Sequence, residues 1–112
     1  MEIDLTGLQK PDLFAKFKLQ VQRDFELAGL SEQLPVIESN NLTTLKIAFL
    51  DSILKLEIGN ALKTLLYRID ITELQIKQAS QKNQDMTLQQ ILAELMIKRI
   101  LQKVILKELY SK

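Results

Sequence analysis

The sequence predicts an all-α fold: a compact bundle of four to five helices preceded by a short extended N-terminal arm. Three observations point there. Apolar residues, mostly Leu and Ile, recur at spacings of three and four along most of the chain, which gathers them on one side of a 3.6-residue helix. Only three Gly and two Pro interrupt the 112 residues, so helices run long. Expected helix starts also carry matched capping residues, Thr72 with Gln75 and Thr87 with Gln90, which satisfy the N–H groups a helix start leaves open. A chain of this length fits one domain, 1–112, with 1–10 as the arm and 11–112 as the bundle.

The arm is read from strict alternation: Met1, Ile3 and Leu5 apolar, Glu2, Asp4 and Thr6 polar, the period of an extended segment with one buried face. Such a segment needs a groove or another strand, and Leu34-Pro35-Val36-Ile37 or the same arm of a second subunit could supply it. Pro11 suits a first helical turn, and Phe14, Phe17, Val21, Phe25 and Ala28 then form one stripe that ends at Gly29 as a left-handed cap. Residues 30–41 read as a connection with one helical turn at Ser31-Glu32-Gln33.

From Leu42 two stripes run together, Leu42, Leu45, Phe49, Ile53 and Leu56 beside Ile47, Leu50, Leu54 and Ile58. This reads as a central helix buried on most sides, broken near Gly59-Asn60, with Asn60 as a possible N-cap. A helical hairpin over 61–69 and 73–80 follows, its second helix starting at one of two overlapping capping boxes, Asp70/Glu73 or Thr72/Gln75. After a polar loop the last helix spans about 88–110. Its apolar residues sit at Leu88, Ile91, Leu92 and Leu95 in the first half and at Ile97, Ile100, Leu101, Val104 and Ile105 in the second, so the face rotates around the axis. Either the halves contact different helices of one bundle, or the second half meets another chain.

Hydrophobic residues make up 46% and charged residues 26%, the balance of a soluble globular domain. The net charge of +1 supplies no long-range field to draw in nucleic acid or an anionic membrane. The longest apolar runs fall far short of the ~20 residues that span a bilayer, and the opening residues lack the pattern of a signal peptide. A cytoplasmic protein without membrane insertion is expected.

With no Cys and no His, thiol chemistry, the commonest metal ligands and the commonest general base are all missing. No calcium loop, phosphate-binding loop or nucleophile elbow occurs. The expectation is a protein with no cofactor, no metal and no catalytic residues. The densest polar group, Tyr67, Arg68, Asp70 and Glu73, could hold a small anion, but helix capping by Asp70 and pairing of Arg68 with a carboxylate account for these residue types.

Two features bear on partners. The 65–79 segment loosely follows a DNA-binding helix-turn-helix, with Gln75, Lys77 and Gln78 on its second helix, although Asp stands where Gly is usual in the turn and Leu66 fills a position usually small. Arg99, Lys103 and Lys107 form a basic row on the last helix, equally explained by the negative end of the helix dipole; Glu94 and Lys98 beside it make a favourable i, i+4 pair. The sequence therefore favours a non-catalytic interaction or accessory module that self-associates, as a dimer, or binds a protein partner through apolar helix faces. Candidate partner-facing residues are Ile97, Leu101, Val104 and Ile105 with Arg99, Lys103 and Lys107. The alternative is a nucleic-acid-binding accessory protein using the 61–80 hairpin or the basic row.

Overall fold

The computed structural model describes residues 5–56 and 60–110. Five α-helices follow in order: α1 (Pro11–Leu27), α2 (Leu42–Lys55), α3 (Ala61–Ile69), α4 (Glu73–Lys82) and α5 (Leu88–Tyr110), with 3-10 turns at Leu5–Gln9 and Ser31–Gln33. The all-α bundle is as the sequence predicts, and among the described residues there is no strand.

The N-terminal arm is the first correction. Residues 5–9 are not extended but form a 3-10 helix; residues 1–4 of the predicted arm lie outside the described residues. The physical reason is the spacing of Leu5 and Leu8. A 3-10 helix repeats every three residues, so both leucines turn to one side, where Leu8 is fully buried and Leu5 packs against the core. No strand partner is needed. Residues 34–41 hold the turn instead through Asn40, whose side-chain amide donates to the Leu8 carbonyl at 3.2 Å.

Helix α1 ends as its sequence implies. Gly29 takes φ +76°, its N–H donates to the Glu26 carbonyl and that of Leu30 to the Phe25 carbonyl at 3.0 and 2.8 Å, the paired bonds of a Schellman cap. Helix α2 starts on Asn41, whose side chain accepts from the Thr44 N–H at 3.1 Å, and ends at Lys55; the expected break at Gly59 lies outside the described residues. Asn60 precedes α3 without making a side-chain cap. Of the two capping boxes before α4, Thr72 and Gln75 form theirs in both directions, at 3.1 and 2.8 Å. Asp70 closes α3 in the left-handed region at φ 73°, where a short polar side chain is tolerated better than a bulky one. Thr87 and Gln90 repeat the reciprocal box at the start of α5.

Helix α5 is the axis of the bundle. It packs against each of the other four helices and the N-terminal 3-10 turn, which is why its apolar face rotates. Met96, Ile97, Ile100 and Leu101 are fully buried along it. Around them sit Phe17, Phe25, Phe49, Leu45 and Ile53 from α1 and α2, with Leu65 and Ile69 from α3. Phe17 touches Phe49 with ring centroids 6.3 Å apart, tying α1 to α2.

Candidate functional site

The apolar residues of α5 expected to face a partner pack inside the chain. Ile97 and Leu101 have no exposed surface and Val104 only 3%, while Ile105 is partly buried against the core. Most of the rotating face is covered within the chain, because α5 has helices on several sides. Ile97, Leu101, Val104 and Ile105 thus build or border the core instead.

The basic row is likewise engaged internally. Arg99 pairs with Asp70 at 2.8 Å and also donates to Gln102. Lys103 reaches the Asp24 carboxylate at 3.2 Å and the Arg68 carbonyl at 3.1 Å. Lys107 donates to the Gln20 side chain at 2.6 Å, and Gln20 in turn donates to Asp24 at 3.0 Å. Asp24 is only 2% exposed, so this chain of contacts fastens α5 to α1 and to the end of α3 through a buried charge. The predicted pair Glu94–Lys98 forms at 2.9 Å, and Lys46 from α2 joins it at 3.5 Å.

Burial raises the Glu94 pKa, but the hydrogen bond and charge of Lys98, with Lys46 behind it, outweigh that effect and hold the carboxyl below its ordinary value. A group whose pKa is depressed by folding stabilises the fold above its unfolded pKa and loses that contribution as pH falls through the folded value. Glu94→Gln is therefore expected to reduce stability at neutral pH, with the gap from the parent closing below about pH 4. Urea unfolding at neutral and acid pH checks this; a pH-independent gap would contradict it.

The Tyr67, Arg68, Asp70 and Glu73 group is not assembled into a site. Tyr67 is 87% exposed, Arg68 contributes its backbone carbonyl to Lys103, and Glu73 lies exposed in the first turn of α4. Asp70 does not cap α4 with its side chain, as the sequence suggested; Thr72 does that, which leaves the Asp70 carboxylate for Arg99. In the hairpin, Gln75 and Gln78 border a groove against α5. Among the described residues no group of acidic side chains could hold a metal ion, and no helix is long and apolar enough to cross a membrane.

The surface that sequence reasoning missed is on α2. Ile47 is 63% and Leu54 52% exposed, with Leu50 half-buried between them. At roughly 100° per residue these three lie about 140–200° around the helix from Leu45, opposite the buried face of Leu45, Phe49, Ile53 and Leu56. Helix α2 packs mainly on α5, so its second stripe faces outward, contrary to the expectation of burial on most sides. Ile47 and Leu50 also border a groove of about 280 Å³ shared with Met86, Gln90 and Ala93 at the start of α5. The signal was present in the opposition of the two stripes: a short helix at the edge of a small bundle can cover only one of them.

No family model, curated protein or solved structure matches the chain.

Proposed function

We propose that the chain is a cytoplasmic, non-catalytic helical interaction module that self-associates through the outward face of α2 as a two-fold dimer. The observation that carries this reading is the exposed apolar strip of Ile47, Leu50 and Leu54. Contiguous apolar surface on a small domain is where association removes most water-exposed hydrocarbon. Thr43 extends the strip, and the positions 43, 47, 50 and 54 step by four, three and four, the seam spacing of a two-stranded coiled coil.

Charge favours a second copy of the same helix as the occupant. Lys46 flanks one side of the seam and Asp51 the other. In a parallel pair a residue at the first of these positions meets the residue five further on in its partner. Lys46 of one protomer then lies opposite Asp51 of the other, and the two-fold axis repeats the contact.

A seam of about three turns is small beside the ~1,200 Å² of a stable interface, so a dissociation constant on the order of 0.1 mM is expected. Sedimentation equilibrium from micromolar to millimolar protein should show the mass rising from monomer to dimer. The double variant Ile47→Glu with Leu54→Glu should stay monomeric with its helical circular dichroism unchanged. A parent chain that stays monomeric throughout overturns the proposal. Nucleic-acid binding, the alternative, gains no comparable support, because Lys103 and Lys107 of the basic row are held within the chain by Asp24 and Gln20.

A further inference from the structure

We infer that the groove between α4 and α5 is a binding site for an extended acidic peptide segment, separate from the self-association face on α2. The groove encloses about 480 Å³, within the ~300–1,000 Å³ of ordinary ligand sites. Gln75, Gln78 and Lys82 line it from α4, and Lys98, Arg99 and Gln102 from α5. No carboxylate lines it among the described residues. One wall-to-wall strip is therefore amide and cation, over a floor that includes Ile71.

The hydrogen-bonding capacity of these side chains is only partly used. An ammonium has three donors and a guanidinium five. Lys98 spends one contact on Glu94, and Arg99 spends two, on Asp70 and Gln102. Lys82 makes no ion pair among the described residues. The side-chain oxygens of Gln75 and Gln102 already accept, from the Thr72 N–H and from Arg99, which leaves both NH₂ groups to donate. The Arg99–Asp70 pair is open to exchange, since the Asp70 side chain is 69% exposed and exposed pairs contribute little.

These donors suit carboxylates spaced along a peptide, whose backbone carbonyls can take the glutamine NH₂ groups. Nucleic acid fits less well. No aromatic ring lines the groove, so bases lose the stacking that contributes about 1–3 kcal/mol each at single-strand sites.

The test is fluorescence anisotropy with a labelled peptide of alternating Ala and Glu, eight residues long, at low salt. Controls are the same peptide with Gln for Glu and a single-stranded oligonucleotide. Saturable binding on the order of 0.1 mM is expected, weakened roughly tenfold or more by Lys82→Glu combined with Gln78→Ala and by salt of about 0.3 M. The Gln peptide should bind at least about tenfold more weakly. The Ile47→Glu, Leu54→Glu double variant should bind like the parent, which separates this site from the dimer. Absence of binding, indifference to the Lys82 and Gln78 changes, or tighter binding of the oligonucleotide would each overturn the inference.

Discussion

Leu101→Ala is expected to lower the stability of the folded chain by about 3 kcal/mol, and Ile47→Ala to leave it nearly unchanged. Leu101 has no exposed surface and its δ2 methyl lies beneath Gly7 of the N-terminal 3-10 turn. Truncation there removes buried methyl groups and opens a cavity among Ile97, Ile100 and their neighbours, which the rigid centre of α5 cannot close. For a domain of this size that loss corresponds to a fall in melting temperature of roughly 12 °C. Ile47, at 63% exposure, loses little contact when truncated, and Ala is the better helix former. Thermal unfolding of both variants decides between two readings of α5. If its second half were a partner surface, Leu101→Ala would abolish association and spare the fold; the buried position requires the reverse.

The second large effect concerns the charge sealed between α1 and α5. Asp24→Ala removes the acceptor for both Lys103 and Gln20. Loss of one partner of a fully buried ion pair costs about 3–5 kcal/mol. The Lys103 side chain is 18% exposed and retains the Arg68 carbonyl, so partial access to water reduces the expected loss to about 2–3 kcal/mol. Asp51→Ala, in a pair whose side chains are 64% and 65% exposed, should change stability by less than about 0.5 kcal/mol.

Two further results would identify the cause of the Asp24 effect. Replacing both partners, Asp24→Leu with Lys103→Met, should recover most of the lost stability, because the desolvation of both charges is avoided. Raising the salt concentration should barely alter the parent's stability, since a pair whose carboxylate is buried is poorly screened. Urea denaturation of the parent and these three variants measures all of this. A loss below about 0.5 kcal/mol for Asp24→Ala would show the contact to be incidental.

Much of the architecture was legible in the chain because it rests on local rules. The capping pairs Thr72/Gln75 and Thr87/Gln90 act within three residues of sequence, and Gly29 needs only its own backbone freedom. Both kinds of signal placed helix ends close to where they occur. Residues 5–9 form a 3-10 turn rather than part of the expected arm because alternation and the three-residue spacing of Leu5 and Leu8 compete there, and contact with the core favours the second. The role of Asp70 was misread for a related reason. Two capping boxes are equivalent locally, and only the position of Arg99, 29 residues away in the chain, gives the Asp70 carboxylate another use.

The candidate surfaces were less legible, and the reason is geometric. Spacing tells which residues share a helix face but not what lies against that face. Leu101 and Ile47 are both members of apolar stripes, yet one ends at the centre of the bundle and the other in solvent. Arg99, Lys103 and Lys107 form a row on any helix; that Asp70, Asp24 and Gln20 face them follows from the packing of α5 on α1 and α3.

By itself, the sequence determined that this protein is helical, where its caps fall and which side chains are apolar enough to build a core, because those properties depend on neighbours within a few residues. Only the tertiary structure decided that α5 is the interior axis, that its cations are internally paired, and that the unburied stripe belongs to α2. Those outcomes depend on which helices meet. Meeting is a collective result of covering as much apolar surface as five short helices can.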